Sequence, residues 1–167
     1  MTFFAIFTAQ YLIFIIIILS IAYFLHRPNT EKKEIIIFSL ITLPIIFIIS
    51  RICAALYFNP RPFINNQFIA LIPHKPNNGF PSDHTLLSSA VAMIVWHFNK
   101  KIGSFLFILA LLVGLARVYV GVHHYLDIFT SLIISIAVVL VVEKTIWHKI
   151  KSHRHVTTFF DKIKIFN

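Results

Sequence analysis

The 167-residue chain has one cysteine, 4 glycines and 6 acidic residues. A lone cysteine excludes an intramolecular disulfide or a cysteine metal cluster, and Cys53 lies inside an apolar run, so it carries no information on redox compartment. The few carboxylates are scattered, which leaves no Asp/Glu cluster to hold Mg²⁺. Charge of either sign is scarce: 13% of residues are charged and 58% are hydrophobic, 18 of them Phe. An ordinary soluble domain carries roughly 25% charged residues and under about half apolar ones. With a mean hydropathy of +0.84, a soluble globular protein is excluded. At about 20 apolar residues per helical span, the length allows five or six crossings and no separate soluble domain. The expectation is a single integral membrane domain over residues 1–167, an all-α polytopic helical bundle.

Five apolar stretches predict five spanning helices: about Phe3 to Leu25, Ile35 to Phe58, Thr85 to Phe98, Ile102 to Tyr119, and Tyr125 to Trp147. The third is short for a full crossing and is bounded by His84 and His97, so its outer end is expected to be covered by protein. The first stretch has no basic n-region and no small-residue cleavage site, and its positive charge follows it. It reads as a retained helix with its N-terminus outside. Residues 1–58 then hold the first two helices, 59–83 an outer loop, 84–147 the last three helices, and 148–167 a basic cytoplasmic tail. The outer loop carries five of the seven prolines. Its apolar middle, Phe63 to Ile72, predicts a short interfacial or re-entrant helix.

The net charge of +9 invites a nucleic-acid reading, but a basic patch needs a water-exposed face to display it, and most of this surface must meet lipid. Orientation explains the charge better. Arg27, Lys32 and Lys33, then Lys100 and Lys101, then Lys144, Lys149, Lys151, Arg154, Lys162 and Lys164 all fall in alternate connections or the tail. That puts eleven of the fifteen basic residues on one side, as the positive-inside bias requires. The tail is expected to anchor to anionic lipid of the inner leaflet. Membrane lipids are the expected partners and nucleic acid is not; nothing bears on oligomeric state.

The four remaining basic residues, Arg51, Arg61, Lys75 and Arg117, lie in or beside the outer connections with Asp83 and Asp127. Three segments collect there: Asn59-Pro-Arg-Pro62, Pro81-Ser-Asp-His-Thr85, and the stretch from Ala116 to Asp127. In the last, His123 and Asp127 are spaced i, i+4 and share a face if the fifth helix starts near His123. A carboxylate beside an imidazole fixes its tautomer and leaves the other nitrogen as nucleophile or base. Arg117 precedes His123 by six residues, with Gly121 allowing a bend, and its planar fork suits a phosphate. His84 opens the third helix after Ser82 and Asp83, either of which is a candidate N-cap. The backbone N–H groups there form an anion site, where a histidine can protonate a leaving oxygen. With no carboxylate cluster, phosphoryl transfer here would run through Arg, Lys and His, without a metal or other cofactor.

These segments resemble the three motifs of the type 2 phosphatidic acid phosphatase superfamily: Lys, six residues, Arg-Pro; Pro-Ser-Gly-His; and Ser-Arg, five residues, His, three residues, Asp. Arg61-Pro62 matches the first, Pro81-Ser82 and His84 the second, and Arg117, His123 and Asp127 the third at full spacing. The resemblance covers roughly residues 51–127. Ala54 stands where the family has Lys, so Arg51, one turn earlier, or Lys75 from the loop is the candidate replacement. Asp83 replaces Gly, and Ala116 replaces Ser. The Pro-Ser-Asp-His form, the small size and the outward site look like the bacterial undecaprenyl pyrophosphate phosphatases of this superfamily.

That likeness implies a bacterial inner (plasma) membrane enzyme recycling the cell-wall lipid carrier, with a prenyl pyrophosphate lipid as substrate. It implies that His123 forms a phosphohistidine supported by Asp127, that His84 serves as acid and then base, and that Arg61, Arg117 and Ser82, with Arg51 or Lys75, hold the phosphate oxygens. Asp83 belongs to the same set, either as a helix cap or as an acceptor from a basic neighbour. Phosphatidylglycerophosphate, phosphatidic acid or lipid A are the alternative substrates for such a site. A non-catalytic transporter or scaffold, in which these residues merely pair, is the alternative class. Blander readings stand beside the sharp ones: Asp127 alone could be a capping acid, Arg51 could snorkel, and Lys75 could be a solvated loop residue. His26, His97 and His148 read as interfacial, and His124 as structural support.

Overall fold

The computed structural model describes residues 2–64 and 69–152. Helix α1 spans Thr2–Leu25, α2 Asn29–Leu56, α3 Asp83–Phe98, α4 Lys100–Tyr119 and α5 Tyr125–Val142. A π-helical turn, Glu143–Trp147, leads on from α5 into a last helical turn, α6, at His148–Ser152. Among the described residues there is no strand, only an isolated antiparallel bridge between Pro60 and Asn78. The chain is therefore an all-helical bundle.

Four helical segments are long and apolar enough to cross a membrane: Thr2–Leu25, Asn29–Leu56, Lys100–Tyr119 and Tyr125–Lys151. The third predicted span is the exception. With 16 residues, α3 is about 24 Å long at 1.5 Å per residue, against a hydrocarbon core of about 30 Å. The structure thus gives four helices of crossing length in place of five. Helix α3 takes the centre of the bundle, packed against α1, α2, α4 and α5, and its buried residues cover most of its circumference, with Leu87 left 41% exposed. A helix with so broad an apolar surface needs cover over most of it, and here other helices provide that cover.

The loop helix expected over Phe63 to Ile72 is not seen in the described part of that stretch. Pro62, Phe63 and Ile64 form a turn, Ile69 to Ile72 are irregular, and the residues between fall outside the described set. Ile72 instead tucks its side chain under the turn joining α4 and α5, against Ala9, Ala116, Val120 and Val122.

Apolar packing supplies two further cores. One joins α2, α3 and α5 through Phe38, Ile46, Ala90 and Val138; the other joins α1, α3 and α4 through Ile16, Ala92, Leu106 and Val113. Since lipid is as apolar as these side chains, close contact and interhelical hydrogen bonds must add specificity. A seam of buried serines between α3 and α5 does this. Ser89 donates to Ser135 (2.8 Å), Ser135 to the Leu86 carbonyl (3.2 Å), and Ser131 to the Ser82 carbonyl (2.9 Å). The last bond fixes the register between the start of α3 and the start of α5, the two places where the motif histidines lie.

The two ends of the bundle differ in chemistry. At one end Tyr23 donates to Glu31, His97 meets Glu143 at 3.1 Å, and Lys151 meets Glu34 at 2.8 Å. The α1–α2 turn, the α3–α4 junction and the end of α5 therefore lie together, and with them the described members of the eleven-residue basic set. Arg154, Lys162 and Lys164 lie outside the described residues. Arg51, Arg61 and Arg117 gather at the other end.

Helices α3 and α4 are joined through a single residue, Asn99, whose side chain accepts from the Ile102 N–H (3.0 Å) and caps α4. So sharp a reversal brings Gly103 against the backbone of Trp96, where an added Cβ would lie 2.2 Å from the Trp96 Cα. Backbone cannot rotate away, so the helices must separate. Gly103→Ala is expected to lower the thermal unfolding midpoint in detergent by several degrees, as a loss of about 1–3 kcal/mol from overpacking implies. An unchanged midpoint would contradict this packing.

Candidate active site

The fifth helix begins at Tyr125, with His124 at its N-cap. His123 therefore precedes the helix, and the i, i+4 face expected for it is not what joins it to Asp127. The helix start itself makes the pair. Asp127 occupies the third helical position and turns back, its Oδ2 accepting from the His124 backbone N–H (2.8 Å) and from His123 Nδ1 (3.2 Å). Its Oδ1 accepts from the Asn59 amide at 2.8 Å. The carboxylate is fully buried, and these three donors replace the water it has lost.

On the other side of the ring, His123 Nε2 lies 3.2 Å from Arg61 Nη1. A guanidinium can only donate, so Nε2 must offer its lone pair and Nδ1 must carry the proton given to Asp127. That is the tautomer in which the nucleophilic lone pair sits on Nε2, available for attack once Arg61 Nη1 turns from it to a bound anion. Burial pushes the His123 pKa below its usual 6.5; the Asp127 hydrogen bond opposes this shift, while the Arg117 and Arg61 charges add to it. A neutral, attack-ready imidazole results near neutral pH.

Arg61 is buried and laid across the site, with Nε donating to Asn77 Oδ1 (2.9 Å) and Nη1 to the Val122 carbonyl (2.8 Å). Gly79 allows this approach: a Cβ there would sit 3.2 Å from Asp127 Oδ2 and 3.3 Å from Arg61 Cγ. Arg117, 2% exposed, makes one long bond from Nη1 to the Ala9 carbonyl (3.4 Å). Its Nε and Nη2 are buried with no partner. Unpaired charged donors in such a place are costly, and an anion with several oxygens would satisfy both.

Ser82 is the N-cap residue of α3, but its side chain makes no bond to the first-turn amides; its Oγ instead accepts from Thr85 Oγ1 (3.2 Å). The N-terminal amides of α3 are left uncapped by the Ser82 side chain and form the positive end of the helix dipole. His84 is half-buried in the first turn, within the fields of Arg117 and His123. The structure thus brings together His84, His123, Asp127, Arg61, Arg117 and Ser82, although they are far apart in sequence.

Arg51 and Asp83 pair with each other, Nη2 to Oδ1, at the exposed rim where α2 ends and α3 starts. Of the two readings for Asp83, acceptance from a basic neighbour is the one seen. Lys75 is exposed and gives its carbonyl to the Asn77 N–H. Neither Arg51 nor Lys75 has a described contact with His123 or Arg61. The sequence reading missed Asn59, Asn77, Asn78 and His74. Asn78 binds the Asn59 and Phe80 N–H groups and the Ala54 and Tyr57 carbonyls, tying the loop to the end of α2. The available signal was three asparagines and a histidine in a proline-rich outer loop.

Residues 54–151 match the PAP2 superfamily. Undecaprenyl-diphosphatase BcrC of Bacillus subtilis (strain 168) is 36% identical over 110 residues, 66% of this chain and 57% of that protein. Bacitracin transport permease protein BcrC of Bacillus licheniformis is 30% identical over 131 residues, 78% of this chain and 64% of that protein. The chain spans less than two thirds of the length of both relatives. The crystal structure of Aquifex aeolicus LpxE has a similar fold, with a TM-score of 0.66 and 28% identity over 86% of this chain and 82% of that one.

A proton count at His123 tests the electrostatics. In an NMR titration of the free protein, with the resonance assigned by its loss in His123→Gln, the His123 midpoint should lie below 6.5. A midpoint at or above that value would contradict the balance of burial and charge.

Proposed function

The chain belongs to the PAP2 superfamily, and from that premise we propose that it is a membrane lipid phosphatase converting undecaprenyl pyrophosphate to undecaprenyl phosphate and inorganic phosphate. One observation supports this most strongly: the Nε2 lone pair of His123, set by Asp127 behind it, faces Arg61 beside the unpaired donors of Arg117.

In this reading Nε2 of His123 attacks the terminal phosphorus. The bond from phosphorus to the bridging oxygen breaks, and His84, which takes up a proton when the anionic pyrophosphate binds beside it, donates that proton to the departing lipid monophosphate. Arg61, Arg117 and the α3 amides beside Ser82 carry the charge on the nonbridging oxygens as it develops. His84, now neutral, takes a proton from water as the water attacks phosphorus, and the bond to His123 breaks to release inorganic phosphate. The imidazole of His123 returns to its starting tautomer, held by Asp127. Positive charge in the site comes from guanidinium groups and a helix terminus, so the reading includes turnover without a divalent metal.

The same reading sets the protein in a bacterial plasma membrane with α3 as a fifth, protein-sheathed crossing. The N-terminus and the site then face outward, and the basic end faces the cytoplasm. A groove of about 350 Å³ between α1 and α4, lined by Phe4, Ala5, Thr8, Leu112, Ala116 and Tyr119, opens beside the helix turn that bears Arg117. The prenyl chain can lie there without leaving the bilayer.

The test is phosphate release by the purified protein in detergent with EDTA present, comparing undecaprenyl pyrophosphate with phosphatidylglycerophosphate, phosphatidic acid and lipid A. Undecaprenyl pyrophosphate should be turned over fastest, and His123→Ala should lose at least about 10³-fold in rate, as removal of a nucleophile implies. Faster release from a glycerolipid or lipid A would reassign the substrate. Full activity in His123→Ala, or strict dependence on added Mg²⁺, would contradict the mechanism.

A further inference from the structure

His74 lies in the outer loop and belongs to none of the three motifs. Its ring nevertheless faces that of His123, with centroids 6.3 Å apart and planes at 75°. Its Nδ1 is buried and makes no hydrogen bond of good geometry, with only a weak approach to the Lys75 backbone. The loop holds it there from both sides. Upstream, the Leu71 N–H donates to the Val120 carbonyl (2.9 Å) and Ile72 packs under the α4–α5 turn. Downstream, the Asn77 N–H closes on the Lys75 carbonyl (2.9 Å), and Asn77 Oδ1 receives Arg61 Nε. The segment that carries His74 is thus fastened to the elements that carry His123 and Arg61.

The surroundings of His74 are cationic. Burial, and after it the charges of Arg61 and Arg117, push its pKa down to about 4, against a Lys75 backbone contact that favours the charged ring. In the free site it is a neutral imidazole with one N–H to give. A neutral donor adds hydrogen-bonding capacity beside two guanidinium groups without a third repelling charge. The position has a vacancy of that kind to fill. Ala54 offers no side-chain donor where the family's first motif has lysine, Arg51 is engaged by Asp83, and Lys75 is exposed.

Building on the phosphatase reading, we propose that His74 is a substrate ligand that donates a ring N–H to a nonbridging oxygen of the phosphate that His123 attacks. It supplies the neutral third contact to a group otherwise held by Arg61 and Arg117.

Inorganic phosphate is the probe, because its binding does not depend on any lipid being hydrolysed. Binding to the purified full-length protein is followed by ³¹P NMR titration for the wild type, His74→Ala, His74→Asn and His74→Gln, with the thermal midpoint of each measured in the same detergent. Loss of one hydrogen bond to a charged oxygen should weaken phosphate binding about tenfold or more in His74→Ala. Asn places an amide N–H near the position of Nδ1 and Gln near that of Nε2, so one of the two should restore most of the affinity. A structural role alone would not be rescued in this way at equal thermal midpoints. Phosphate affinity within twofold of wild type in all three variants would overturn the proposal, as would equal weakening in all three. Turnover of undecaprenyl pyrophosphate, measured separately, decides the substrate reading: a wild type that binds phosphate through His74 but releases none from lipid would retain this contact and lose that substrate.

Discussion

The buried carboxylate of Asp127 is the constraint on which the outer end depends. A carboxylate without water must find donors or give up its charge, and it finds them in the His123 ring, the His124 backbone and the Asn59 amide. These three bonds join the start of α5, the α4–α5 turn and the loop after α2. Asp127 therefore caps a helix, sets the tautomer of the candidate nucleophile and anchors the loop that delivers Arg61. Removing it would leave three donors unpaired at once, and its bland role as a capping acid cannot be separated from its chemical one.

The serine seam extends that constraint into the bundle. Ser131 lies one turn beyond Asp127 and donates to the Ser82 carbonyl (2.9 Å), while the Ser82 N–H reaches the Asp127 carbonyl (3.3 Å). The first turns of α3 and α5 are thus stitched together on both strands of the junction. Between helices buried in lipid, apolar contact alone would leave their relative register loosely set. These bonds remove that freedom where, in the proposed mechanism, His84 and His123 face a common phosphate. At the opposite end the described acids and bases pair in separate contacts, such as His97 with Glu143 and Lys151 with Glu34.

Much of this was legible in the sequence, because apolar runs and motif spacing are local properties. The four long helices follow from hydrophobic length, and Arg61, His84, Arg117, His123 and Asp127 follow from order and spacing within the motifs. The shortness of α3 was also visible; its central position was not, since burial over most of its surface depends on where the other helices go. The i, i+4 argument for His123 and Asp127 named the right pair through the wrong geometry. Spacing cannot say where a helix starts, and the cap at His124 moves His123 off it. Asn59 and His74 went unnoticed because their partners lie 68 and 49 positions away, beyond any local pattern. Arg51 and Asp83 were both legible as charges, and only the fold shows that they answer each other.

Net charge, which first suggests a basic binding surface, separates under the proposed function into two roles along the bundle axis: orientation at one end and anion capture at the other. Anion capture is meaningful only if the phosphoryl group passes through His123. The most direct measurement is rapid quenching of the purified enzyme with undecaprenyl pyrophosphate labelled with ³²P in its terminal phosphate, followed by mapping of the labelled peptide. The expected result is a label on His123, stable in alkali and lost in mild acid, and absent from His123→Ala. An alkali-labile label on a hydroxyl side chain, or equal labelling of His123→Ala, would contradict it.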